Sequence, residues 1–148
     1  MRGVTLTQNT LSPEVFSRLK NDAQQDQALQ HISGFYLQGK DLRGAILYEA
    51  VLPKIDLRAK TVSGLHGLLG CSQVPGNQQD IRCRSRLDGV DFRWAYLQQA
   101  MLDEASLIDA KLDHARLRDA VLSGADLRGA DLRGADLSHT NFMCANLV

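Results

Sequence analysis

Aromatic residues make up only 5% of the sequence, and cysteines and prolines number three each in 148 residues. Three cysteines are too few for a disulfide scaffold. Three prolines leave no proline-rich linker. Net charge is also missing: 17 basic side chains balance 17 acidic ones. That balance argues against a strongly basic nucleic-acid binder and against an acidic mimic of nucleic acid. No apolar run approaches the roughly 18–20 residues that a membrane helix needs. The opening MRGVTLTQNT has no continuous apolar core of a secretory signal. A soluble cytoplasmic protein is the expectation, with export by a dedicated secretion system left open.

What the chain does have is a period. From Ser85 onward it divides into fives: SRLDG, VDFRW, AYLQQ, AMLDE and so on to ANLV. The third position is Leu in eleven of thirteen units and Phe in two, Phe92 and Phe142, while the first is Ala in ten. Neither the 3.6 period of a helix nor the period of 2 of a strand accounts for this spacing. In extended backbone, however, the first and third positions of a unit point the same way. The other three are mostly polar and face water, so the chain turns once per unit. Stacked turns then bury a continuous column of Leu and Phe, as repeat architectures do.

The A-(D/N)-L-x-x signature, as in Ala125-Asp126-Leu127, Ala130-Asp131-Leu132 and Ala145-Asn146-Leu147, resembles the pentapeptide-repeat family. The resemblance implies an all-β solenoid, a right-handed quadrilateral β-helix with four pentamers per coil. The same register runs through FYLQG, KDLRG, AILYE, AVLPK, IDLRA and KTVSG, centred on Leu37 to Val62, with QHISG before them. About five coils are expected.

The organisation read from the sequence is one domain: an N-terminal segment 1–30, a first repeat block 31–64, an inserted loop 65–84 and a second repeat block 85–148. Within the N-terminal segment a short capping α-helix is expected over 12–29. Ser12 suits the N-cap, Pro13 the first turn and Glu14 the positive end of the dipole. Val15, Phe16, Leu19 and Ala23 share one face. The loop is expected to pack where Lys40 and Lys60 occupy the small first position. Their stems would run along the edge and carry the charge out to water.

Catalysis needs a nucleophile, base or metal in a formed pocket, and a filled solenoid offers no such cleft. His31, His66, His114 and His139 are scattered and read as solvated surface residues. His66, Cys71 and Cys83 share the loop, but three candidates at loose spacing are a poor zinc set. A Cys71–Cys83 disulfide stays open. Cys144 reads as an exposed or half-buried thiol. The aspartates follow the repeat, so they are expected to meet basic residues on adjacent coils, as in Asp91, Lys111, Asp131 and in Arg93, Asp113, Arg133.

The chain is therefore expected not to be an enzyme, and to need no cofactor and no metal. The expected function is a protein-binding scaffold that uses the solenoid faces and the loop. Candidate partner-binding residues are Trp94, Tyr96, Met101, Val121, Leu68, Leu69 and Ile81, because grouped outward apolar and aromatic side chains mark contact points. The partner is expected to be a protein, neither nucleic acid nor membrane. The family resemblance adds a homodimer through the C-terminal end. It also supplies the alternative function, a DNA-mimicking regulator or protector of a type II topoisomerase, DNA gyrase.

Overall fold

The computed structural model describes residues 36–63, 71–74 and 77–148. The expected capping helix over 12–29 and the unit QHISG lie outside these residues. The described chain is a β-helix whose coils are joined by four columns of parallel bridges. Face 1 stacks Tyr36, Asp56, Met101, Val121 and Asn141. Face 2 stacks Asp41, Arg86, Ser106, Asp126 and Asn146. Face 3 stacks Ile46, Asp91, Lys111 and Asp131, and face 4 stacks Val51, Tyr96, Arg116 and Asp136.

Each pentamer is one side of the coil. The second position holds the bridge in both directions: Arg116 N–H donates to the Ala95 carbonyl at 2.9 Å, and Leu97 N–H to the Arg116 carbonyl at 2.8 Å. The corner closes when the first residue of a unit donates to the third of the unit before it, as Ala100 N–H does to the Leu97 carbonyl at 3.1 Å. The fifth residue has a left-handed φ, from Gly44 at 64° to Gln99 at 58° and Trp94 at 60°. That is what the second corner residue of a type II turn needs, and it explains why so many units end in Gly.

The core is the column itself. From Leu87 to Leu122 every third-position residue is 0% exposed, and the first-position alanines from Ala95 to Ala125 are at 0–1%. Small first and large third residues interleave, which leaves no room for water between coils. Burial fades toward both ends of the described stack, where Leu37, Leu42, Leu47, Leu132, Leu137 and Phe142 are half-buried.

The interruption is larger and better built than the sequence indicates. Asp41 bridges Arg86, forty-five places on, where ordinary steps such as Arg86 to Ser106 take twenty. Twenty-five residues, 60–84, therefore leave the coil and return. They form an antiparallel sheet of three strands, β1 (Lys60–Ser63), β2 (Cys71–Val74) and β3 (Asn77–Cys83), in the order β1-β3-β2. The unit KTVSG thus serves as a strand of the insertion and not as a side of the coil, and Val62 lies opposite Ile81. Lys-Thr-Val-Ser alternates as an exposed strand does, and Lys60 to Ser63 pair with Cys83 to Asp80 and not with a neighbouring coil. Ser85 takes up the small first position on return. It is fully buried, and its hydroxyl accepts from Gly39 N–H at 2.9 Å and donates to the Arg58 carbonyl at 3.2 Å. Lys40 and Lys60 are both exposed.

Candidate interaction surface

Charge on the coil is organised within pentamers. In extended backbone the second and fourth positions project from the same side, so Asp-x-Arg sets the two ends of an ion pair next to each other. The Arg43 fork donates to both Asp41 oxygens at 2.8 and 2.7 Å. Arg58 does the same to Asp56, Arg93 to Asp91, Arg128 to Asp126 and Arg133 to Asp131. The arginine hydrogen bonds hold the carboxyls of Asp41 and Asp131 down at about 2. The same cause lowers Asp56, Asp91 and Asp126. The expected ladder Asp91, Lys111, Asp131 is present as bridge partners, but the bidentate contacts run within each unit. The spacing Asp-x-Arg was the signal for them, and reading the charges only between coils missed it.

Two aromatic groupings stand on the coil. Trp94 is the fifth residue of a face 3 pentamer, so it occupies the corner between faces 3 and 4, 49% exposed. His114 holds the same corner one coil on, and its ring stacks on the indole with centroids 4.2 Å apart and planes 13° apart. Gly134 comes next, and a Cβ there would fall 2.6 Å from His114 Nδ1. The absence of a side chain at Gly134 therefore makes room for the stack. The second grouping is cationic. The Arg93 guanidinium lies 5.5 Å from the Tyr48 ring centre, and that of Arg116 4.9 Å from the Tyr96 ring. Such contacts contribute about 0.5–1 kcal/mol each where exposed.

Where the insertion meets face 1 there is an open cleft of about 410 Å³, lined by Gln38, Arg58, Ala59, Lys60, Thr61, Arg82, Asp103 and Glu104. Arg82 of β3 crosses it and donates through Nε and Nη2 to the Glu104 carboxylate at 2.5 and 2.6 Å. This bidentate contact pins the insertion to the coil. Cys83, at the end of β3, is disulfide-bonded, and Cys71 lies across from it in the β2–β3 register; Cys144 is free and exposed. A disulfide-bonded Cys83 offers no thiolate to zinc, and His66 lies outside the described residues. Among the described residues no cluster of three or more His, Cys, Asp or Glu could hold a metal, and no helix is long and apolar enough to cross a membrane.

Eight copies of the family model for pentapeptide repeats match residues 85–124 and 120–148. The bridge columns carry the same unit back through Tyr36. Residues 85–148 belong to the pentapeptide-repeat family. The chain's β-helix is of the right-handed kind. No curated protein matches it. Solved structures that it resembles include the pentapeptide-repeat protein Rfr23 from the cyanobacterium Cyanothece 51142, at 19% identity over 76% of this chain and 87% of that one, TM-score 0.34. A pentapeptide-repeat protein of the Arabidopsis thaliana thylakoid lumen matches at 24% identity over 78% of this chain, TM-score 0.34. HetL of Nostoc sp. strain PCC 7120, a protein involved in heterocyst differentiation regulation, matches at 24% over 78%, TM-score 0.25. The chain spans 63% and 58% of the length of the last two.

Within this pentapeptide-repeat coil the candidate residues fall on separate surfaces. Met101 and Val121 are direct bridge partners on face 1, both half-buried, with Met143 64% exposed farther along the same face. Trp94 and Tyr96 flank the corner between faces 3 and 4. Ile81 belongs to β3, opposite Val62 and Gln73, and Leu68 and Leu69 lie outside the described residues. Sequence reasoning passed over His114, which it treated as solvated. Trp94 and His114 are both fifth residues and stand twenty apart, so the period itself predicts that they meet.

Proposed function

We propose that this pentapeptide-repeat chain is a non-catalytic scaffold that holds a protein partner between the insertion and face 1. The observation that carries the reading is the insertion itself: a built sheet, fixed to the coil by Arg82 and Glu104, that turns a smooth face into a cleft. Met101 and Val121 continue that face with apolar surface. Trp94 at the far corner is a second anchor. A second copy at the C-terminal end is part of the proposal, favoured by Met143 and by Leu147 at 55% exposure. The alternative, a DNA-mimicking topoisomerase regulator, requires rows of bare carboxylates. Here the arginine forks neutralise Asp41, Asp91, Asp126 and Asp131. The disulfide at Cys83 favours an oxidising compartment over the cytoplasm expected from the sequence.

The test is partner capture by the full chain and by a chain lacking residues 60–84. That deletion joins Ala59 to Ser85, which the coil already holds together. Removing only 65–84 would leave KTVSG as an extra side and turn the second block by a quarter. Loss of a partner in the first deletion, with the circular dichroism of the coil retained, supports the reading. Capture unchanged by the deletion rejects the insertion as the site.

A further inference from the structure

The sheet of the insertion has one edge that is both open and recessed. In the order β1-β3-β2, β1 lies at an edge. One side of it pairs with β3 over Lys60–Ser63. On the other side no backbone partner is found among the described residues. In an antiparallel pair alternate residues turn their N–H and C=O away from the partner strand, so β1 offers a row of such groups outward. That outward side faces the cleft. Lys60 and Thr61 both line it, yet successive strand residues point to opposite faces of a sheet. A cavity that touches both therefore lies along the edge and not over one face. Both residues are exposed, so water reaches the edge.

We infer that the cleft takes an extended segment of a protein partner, which adds to β1 as a further strand. This rests on the reading of the cleft as a partner site, and the charges of the cleft name the segment's chemistry. The Arg58 and Arg82 forks are already engaged, by Asp56 and Glu104. Lys60 and Asp103 are left, and neither makes an ion pair or a side-chain hydrogen bond among the described residues; Asp103 lies in the field of Arg58 without bonding to it. The two stand on opposite faces of the sheet. A Cβ at Gly39 would fall 3.2 Å from Lys60 Cβ and 3.4 Å from Cys83 Cβ, so the Lys60 face looks toward Gly39. Arg82 reaches the other way, to Glu104, the neighbour of Asp103. A strand added to β1 meets Lys60 with an acidic side chain and Asp103 with a basic one. Because successive residues alternate between faces, that acid and base stand an odd number of residues apart. A second copy of this chain does not fit, because its own β1 is walled by its own face 1, and two recessed edges cannot meet. Lys60 also guards the edge against indiscriminate pairing, as edge lysines do.

The test uses the full chain with its disulfide intact and a displayed library of random linear octapeptides, depleted first on the chain lacking residues 60–84. Peptides enriched by the full chain should carry an acid and a base at odd spacing, with no proline between them. Lys60→Glu should weaken an enriched peptide by about tenfold, as an attraction becomes a repulsion. Changing the peptide's acid to lysine should restore the binding. The reciprocal pair, Asp103→Lys with the peptide's base changed to glutamate, reads the same contact from the coil, where the fold of the insertion is not at stake. Amide exchange by NMR gives the readout that side-chain docking alone would not move. In the unbound chain alternate amides of β1 should exchange fast. With peptide at about a hundredfold above its Kd they should slow by on the order of 100-fold. Peptides that bind in the cleft and leave β1 exchange unchanged would overturn strand addition, while the cleft would stand as a partner site. Binding indifferent to both charge reversals would overturn the assigned segment. No enrichment over the shortened chain would overturn the inference altogether, and the partner capture described above would still decide the scaffold reading on its own.

Discussion

The coil from Ser85 to Leu127 and the insertion from Lys60 to Arg84 lie side by side in sequence but are held by opposite rules. In the coil every strand is one pentamer paired in parallel, with its partner twenty places away except where the insertion lengthens the step to forty-five. In the insertion three strands pair antiparallel, each with its own register and with an irregularity between Gln73 and Val74. The coil is stabilised by a buried column at 0% exposure. The described ties of the insertion are a disulfide at Cys83 and one ion pair, Arg82 with Glu104. A repeated local rule builds a rod whose stability is spread over identical contacts. A single excursion has to be fastened at named points.

The largest effect should come from opening the column. Leu112 is 0% exposed in the middle of face 3, between Phe92 and Leu132. Leu112→Ala is expected to cost about 2–5 kcal/mol, because the tightly stacked coils above and below collapse little into the gap. Urea unfolding reads it directly. The same truncation at Leu147, 55% exposed, should cost well under half as much. If the two cost the same, the coil is not held by its central column.

Next in size is the fastening of the insertion. Cys83→Ser, or reduction, is expected to weaken the pairing of the insertion by about 2–4 kcal/mol. Hydrogen exchange should speed up over 60–84 and stay slow over 95–125. An equal loss of protection in both stretches would mean that coil and insertion unfold as one unit, and the comparison would fail.

The division in the molecule was also the division in what could be read. The Leu column and the outward second and fourth positions were legible because one steric rule is stated again and again from Ser85 to Val148. The insertion was visible as a failure of that rule, but its true start was not. Val62 sits at a formally correct third position, and Lys60 gives no sign of the departure, since Lys40 holds the same first position within the coil. The antiparallel pairing of Cys71–Val74 with Asn77–Cys83 depends on a non-local contact that no period announces. The stack of Trp94 and His114 lay between these cases: implied by the period, yet hidden because each residue seemed unremarkable alone.

Acid should act on the coil and spare the insertion's disulfide. Asp41 and Asp131 have folded values near 2, below the roughly 3.9 of an unfolded aspartate. A depressed carboxyl stabilises the fold above its unfolded value, and that contribution disappears as pH falls through the folded one. Stability should therefore be flat above about pH 5 and fall between about pH 4 and 2. Asp56→Asn should flatten the fall more than Asp131→Asn, because the Asp56 side chain is 1% exposed and the Asp131 side chain 30%. Salt should weaken the Asp131 contribution first, since water screens an exposed pair. Urea midpoints across the pH range at two ionic strengths check both statements. An acid loss unchanged by either substitution would place its origin elsewhere.

The smallest effects sit at the corners, where the coil's own rule is imperfectly obeyed. Gln99 takes φ 58° with a side chain, whereas Gly89 takes φ 64° without one. A left-handed φ costs a residue with a Cβ about 1–2 kcal/mol. Part of what Gln99→Gly relieves returns as the extra freedom of glycine in the unfolded chain. Gln99→Gly should therefore stabilise the coil by about 0.5 kcal/mol. Gly89→Ala isolates the strain, because a Cβ there meets nothing within 4 Å, so any destabilisation comes from the backbone alone. It should cost about 1 kcal/mol. The control is Gly134→Ala, where the new Cβ also meets the His114 ring. It should cost more than Gly89→Ala and should quench or shift Trp94 fluorescence as the stack is pushed aside. Equal costs at the two glycines, with unchanged fluorescence, would show that the ring at the corner moves freely and that the stack contributes nothing to the rod.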